Sequence, residues 1–109
     1  MTSATANEFQ LINDTYVLDL NDSSFNITDS RVLEIIVCNL IKENHVEKIA
    51  FNMTNVNYMN TAALGTLLTI YNICQKEDIE FKVYNLTEFI QELFVTTHVI
   101  DVIKAVKSI

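Results

Sequence analysis

Proline is absent from this chain of 109 residues, and glycine occurs once, at Gly65. A single glycine rules out the glycine-rich loops that cradle nucleotide phosphates. It also leaves the turns to Asn, Asp and Ser, the other residues that tolerate turn conformations. Cations are few: seven Lys and Arg stand against fourteen Asp and Glu, for a formal net charge of −7. A protein that binds the phosphate backbone needs clustered Lys and Arg, so no nucleic-acid partner is expected. The balance fits a chain whose partners are other proteins. Cysteine appears only as Cys38 and Cys74, each within an expected helix. Free intracellular thiols are favoured there over a disulfide or a zinc site. The two histidines, His45 and His98, lie far apart, and neither stands four residues from another ligand type. No metal and no cofactor is therefore expected. Long apolar runs are missing too, because Glu34, Asn39 and Asn72 interrupt the best candidates, so no membrane insertion is expected. Met1 to Asn7 is small and polar, without the basic start and apolar core of a signal peptide, and is expected to be a frayed tail.

Half of the residues are hydrophobic and 19% are charged, the composition of a folded globular protein. The length suits one domain, residues 1–109, with a sizeable core. Phe9 to Ile12 and Tyr16 to Leu20 are β-prone runs around Asn13-Asp14-Thr15, which reads as a hairpin. After a polar loop, Asn21 to Ser24, a first helix is expected from Asp29 to Lys42. Val32, Leu33, Ile36, Val37, Leu40 and Ile41 form its stripe, Thr28 is its cap and Ile27 packs on Val32 as a staple. Arg31, Glu34 and Asn39 fall on its watery side. Ile79 to Tyr84 alternates with period two, its odd positions facing the core. A third helix is expected from Leu86 to Thr96, with Asn85 and Glu88 as a capping box and Leu86, Phe89, Ile90, Leu93 and Phe94 as its stripe.

The chain is organised around Ile49 to Gln75. An apolar strand, Lys48 to Phe51, leads into a polar connection, Asn52 to Asn57, and then a second helix beginning near Asn60 or Thr61. Strand, loop and helix in that order set a helix N-terminus beside the carboxyl end of a strand. Open α/β sheets place their sites there, and the unpaired N–H groups of a helix start suit an anion or a phosphorylated side chain. At 100° per residue, Ala63, Leu64, Leu67, Leu68, Tyr71 and Cys74 make the expected core face of this helix. Ala62, Thr66, Thr69, Ile70 and Ile73 make an uncharged outer face. A solvated face would carry Lys and Glu, so an uncharged one suggests a partner surface. Met59 reads as a core plug below the loop. Tyr58 reads equally as core or contact residue. Acidic residues are scattered over loops and solvent faces, and an enzyme is not expected.

Tyr58-Met59-Asn60-Thr61-Ala62-Ala63-Leu64-Gly65 resembles the signature of STAS domains, the anti-sigma factor antagonist family. Its pattern is an aromatic or apolar pair followed by Asp-Ser-Ser/Thr-Gly-Leu-Gly. Leu64 and Gly65 match, and Tyr58 and Met59 match in kind. The resemblance covers nearly the whole chain. It implies a single α/β domain of STAS type: a mostly parallel mixed sheet of roughly four to five strands with helices packed against it. It also favours a last strand near Ile103-Lys104-Ala105 and a final helix that is missing or very short. For function it implies a cytoplasmic, bacterial signalling module that binds an anti-sigma factor of serine-kinase type and is released by phosphorylation at the start of helix two. The usual acceptor aligns with Ala62, which carries no hydroxyl. Thr61 aligns with the first hydroxyl position and is the candidate phosphoacceptor; the other reading is a constitutive binder without the usual phospho-switch. Asn60 replaces the Asp, Ala63 replaces the Gly, and a second acidic position, on the loop entering helix one, aligns with Asn26. Two amides in place of two carboxylates keep hydrogen-bonding capacity and remove charge. The expected partner surface is Asn26, Asn57, Tyr58, Asn60, Thr61, Ala62, Thr66, Thr69 and Ile73. The alternative is the STAS subunit of phospholipid ABC transporters, whose Asp-Thr-Ala-Gly-Leu motif matches the Thr61-Ala62 pair. That branch implies an ABC transporter ATPase as partner.

Overall fold

The computed structural model describes residues 9–22 and 27–107, with side chains from Arg31 onward in the second stretch. The expected tail, the acidic position placed at Asn26 and the staple of Ile27 on Val32 lie outside the described residues or side chains. In chain order the elements are β1 (Gln10–Ile12), β2 (Thr15–Asn21), α1 (Ile27–Glu43), β3 (Lys48–Asn55), α2 (Thr61–Lys76), β4 (Glu80–Tyr84), α3 (Glu88–Thr96), a short 3₁₀ turn (Val99–Asp101) and β5 (Lys104–Val106). The five strands form one sheet in the order β1-β2-β3-β4-β5. β1 pairs antiparallel with β2, and every later pair is parallel.

Turn chemistry carries much of this path. Asn13 and Asp14 have φ of 48° and 68°, and the pairing Ile12↔Thr15 closes a two-residue hairpin around them. Positive φ at both central residues is the demand of a type I′ turn, which Asn and Asp meet at low cost. Asp78, at φ 60°, ends α2 in the left-handed position that glycine usually takes. Around it the Ile79 N–H donates to the Cys74 carbonyl at 2.8 Å, and the Asp78 N–H donates to the Gln75 carbonyl at 3.2 Å. This is the Schellman pattern of a helix end, with buried Ile79 and Cys74 as its apolar contact. Asn85 and His98 fill two further left-handed positions, at φ 60° and 65°.

Successive parallel strands that are also spatial neighbours, joined by right-handed crossovers, put every connecting helix on one face of the sheet. The core agrees. Leu33, Ile36, Val37 and Leu40 of α1, Leu67 and Ile70 of α2, and Ile90 and Phe94 of α3 share one cluster with Ile49, Phe51 and Met53 of β3 and with Phe81 and Val83 of β4. Phe51 and Phe81 meet edge to face at 5.0 Å and 87°. Each such fully buried side chain contributes about 1.5–3 kcal/mol relative to exposure. The opposite face holds a separate small cluster of Val17, Ala50 and Tyr84 with Val106 packed on it, and no helix of the described residues lies there. Burial, then the Asp19 carboxylate, raises the Tyr84 hydroxyl above its ordinary pKa.

Several boundaries differ from the expectation. α1 starts at Ile27, so Thr28 stands inside its first turn and not before it. β3 runs on to Asn55 because its polar end pairs with β2 as far as Asn21. α3 begins at Glu88 after Thr87, with Asn85 held in a left-handed turn, so the expected Asn85–Glu88 capping box does not form. Cys38 and Cys74 are free thiols, and burial, then the nearby Cys38, pushes the Cys74 thiol up to about 12.

Candidate functional site

The carboxyl ends of β2, β3 and β4 converge with the start of α2, and polar side chains from three loops hold that corner together. Asn60 caps α2: its Oδ1 accepts from the Ala63 N–H at 2.9 Å while its backbone is extended at φ −103°. This is the ordinary geometry of an Asn N-cap. Just upstream, the chain is pinned from two sides. Asp22, at the end of β2, accepts from the Asn57 N–H at 2.6 Å and from the Tyr58 N–H at 3.2 Å. Thr87, before α3, donates its hydroxyl to the Val56 carbonyl at 3.0 Å. The backbone N–H of Asn57, backed by its side chain and by the Tyr58 N–H, holds the Asp22 carboxyl below its ordinary range against a smaller opposing effect of desolvation. Beside this loop Asn52 acts as a hub. It donates to Asp19 at 2.8 Å and accepts from the Thr54 hydroxyl at 2.6 Å and from Asn85 at 3.4 Å.

The expected site residues separate clearly in space. Asn57, Tyr58, Asn60, Thr61 and Ala62 come together on the exposed loop and first turn of α2. Thr61 is the first helical residue, exposed, and its hydroxyl has no partner among the described residues. Met59 is buried at 3% exposure, as a plug below the loop should be. Thr69 is exposed and bonds its own helix at the Gly65 carbonyl, and Ile73 is half-buried.

Thr66 overturns the expectation, since it is buried at 6% exposure, with its hydroxyl satisfied by the Ala62 carbonyl at 3.2 Å. Ile70, also expected on the outer face, is fully buried, whereas Leu68 and Tyr71 are only half-buried. The reason is position. α2 packs against both the sheet and α1, so it buries a wider and rotated arc than one stripe suggests. Its outward residues are Thr61, Ala62, Gly65, Thr69 and Asn72, all uncharged, and then Gln75 and Lys76 in the last turn.

Three contributors were missed. Asp22 is the carboxylate that reaches the loop; a lone Asp in a polar loop gives no sequence signal for two backbone bonds. Thr87 was hidden by an expected helix start at Leu86, two residues before the observed start at Glu88. Phe89, assigned to the core stripe of α3, is 47% exposed and stacks on Tyr58, itself 61% exposed, with centroids 6.0 Å apart and planes 22° from parallel. A nine-residue helix against the sheet fully buries only Ile90 and Phe94, which leaves Phe89 at its margin. The corner therefore presents an aromatic pair, an uncharged helix face, an exposed hydroxyl and the free N–H end of a helix. The described residues contain no group of three His, Cys, Asp or Glu placed to hold a metal.

The fold is similar to several solved structures. One is the Thermotoga maritima protein TM1081, described as a candidate anti-sigma factor antagonist (16% and 15% identity in two structures, TM-scores 0.82 and 0.77, with 92% and 93% of this chain and 79% and 86% of the other covered). A second is the Bacillus cell-fate determinant SpoIIAA in its phosphorylated form (14% identity, TM-score 0.64, 92% of each chain). A third is the STAS domain of a SulP transporter from Vibrio cholerae (10% identity, TM-score 0.69, 90% of this chain and 77% of the other). No curated protein matches the sequence. The family model of the STAS domain matches residues 8–109, nearly the whole chain: this chain belongs to the STAS domain family.

Proposed function

We propose that this domain is a non-enzymatic binding module that works in the manner of an anti-sigma factor antagonist, through Asn57 to Ala62, the Tyr58–Phe89 stack and the Gly65–Thr69–Asn72 stripe of α2. The observation that carries the reading is the exposed aromatic stack beside an uncharged helix face, in a chain of net charge −7. Exposed, ordered aromatic area is the kind that anchors protein interfaces. A partner of the anti-sigma, serine-kinase type fits this surface. Thr61 is the candidate phosphoacceptor: its hydroxyl is exposed and unpartnered, at a helix start that tolerates negative charge. A phosphate there would add about −1.5 to −2 charge at the centre of the contact and separate the partners. Cytoplasmic location goes with this reading, and no described helix is long and apolar enough to cross a membrane.

A test incubates the protein with its partner kinase and reads intact mass, beside Thr61→Ala. Phosphate on the parent and none on the variant supports Thr61. Incorporation that persists in the variant refutes it. For the surface, Tyr58→Ala should weaken partner binding about tenfold or more, as truncation of an aromatic anchor does. Unchanged affinity would remove the stack from the contact.

A second reading is kept by the Thr61-Ala62 pair: a subunit that docks on an ABC transporter ATPase. Recovery of an ABC ATPase with its permease in a native pull-down, in place of a kinase-type partner, would select it.

A further inference from the structure

The two edges of the sheet are guarded differently. β1, at one edge, is Gln10-Leu11-Ile12 and carries no charge. β5, at the other, is Lys104-Ala105-Val106 and is followed by Lys107. Among the described residues β4 is the only strand beside β5, so there one row of its backbone N–H and C=O groups faces outward without a strand partner. Between α3, the 3₁₀ turn and β5 lies a groove of about 670 Å³, a volume in the range of ligand clefts. Asn85 and Leu86 before α3, Gln91 of α3, Ile100 of the 3₁₀ turn, and Ala105, Val106 and Lys107 at β5 line it. The single carboxylate on its lining is Glu88.

The charge at this edge is unusual for the chain. Three of its seven cations, Lys82, Lys104 and Lys107, gather here although the whole chain is strongly acidic. Lys82 and Lys104 are register partners on adjacent strands, and like charges directly opposite each other destabilise a sheet. Glu80 answers Lys82 at 3.4 Å. Lys104 and Lys107 have no carboxylate within ion-pair range among the described residues. An anionic occupant would relieve the repulsion, the free backbone row would bond an extended chain, and the apolar walls would take alternate side chains.

We propose that the β5 edge is a docking site for an extended acidic peptide segment of a protein partner, which adds to the sheet as a sixth strand and places apolar side chains in the α3–β5 groove. The site adjoins the α2 corner at Asn85, which lines the groove and donates to Asn52, and it stands without the proposed function.

The probe is the capped peptide acetyl-Glu-Val-Glu-Ile-Glu-amide, titrated into the ¹⁵N-labelled full chain and followed by amide shifts. Saturable shifts are expected at Leu86, Gln91 and Lys104 to Lys107. The midpoint should rise about threefold or more between roughly 50 and 300 mM salt, since exposed charges are screened over that range. Lys104→Glu with Lys107→Glu, both at exposed positions, should weaken binding about tenfold, while Thr61→Asp leaves it unchanged. The proposal is overturned if the shifts scatter around Arg31, Lys42 and Lys76, if acetyl-Lys-Val-Lys-Ile-Lys-amide binds equally well, or if no saturable shift appears at β5.

Discussion

The two ends of the parallel strands are built by different means. At their amino ends the connections close largely through backbone bonds: the Schellman turn at Asp78 completes α2 and delivers Ile79 to the core. The ion pair nearby, His45 with Glu47 at 3.4 Å, is almost wholly exposed, and such pairs contribute little. At the carboxyl ends the joining groups are side chains: Asp22, Asn52 and Thr87 reach between loops that are distant in sequence. A backbone turn needs only the right residue at its left-handed position. A side-chain corner needs several elements assembled first, and in return it holds an exposed surface in one shape. The amino end is therefore local, and the carboxyl end is tertiary.

That contrast can be broken at α2, where neighbouring threonines have opposite surroundings. Thr66→Asp forces an unpaired carboxylate between helix and core and should cost on the order of 3 kcal/mol or more in a denaturant melt. Thr69→Asp, on the exposed stripe, should stay within about 0.5 kcal/mol of the parent. Equal losses would mean that the burial of Thr66 is wrong. Next in size is the cap. Asn60→Ala removes the bond to the Ala63 N–H and should cost about 1 kcal/mol, read in the same melt.

Gly65 should move stability the other way. A Cβ there would meet nothing within 4 Å, so Gly65→Ala should stabilise the fold by about 0.5–1 kcal/mol. If a partner backbone approaches this stripe, the same variant should bind less tightly although it is more stable.

The smallest effect is local to Asp22. Its carboxyl titrates below the ordinary 3.8 in the folded chain. Its bonds to the loop are therefore complete above the unfolded value and lost as pH falls through the lower folded one. Protection of the Asn57 and Tyr58 amides from hydrogen exchange should persist at neutral pH and fall in strongly acidic solution. In Asp22→Ala it should be low throughout. Protection that survived acid or the substitution would show that other groups hold the loop.

By itself the sequence determined the order of elements, the hairpin at Asn13-Asp14, the α2 start at Asn60-Thr61 and the alternation of β4, because periodicity and turn chemistry act over a few residues. It also set Asn57 to Ala62 together on the loop and first turn of α2, since a strand, a polar loop and a helix in succession define that corner by connectivity alone. Tertiary structure decided which arc of α2 is buried, because both the sheet and α1 press on it. It turned Phe89 outward onto Tyr58, and it brought Asp22 and Thr87 to a loop more than thirty residues away in the chain. Those outcomes depend on how helices sit on a sheet face, and no spacing within a single helix or loop encodes that.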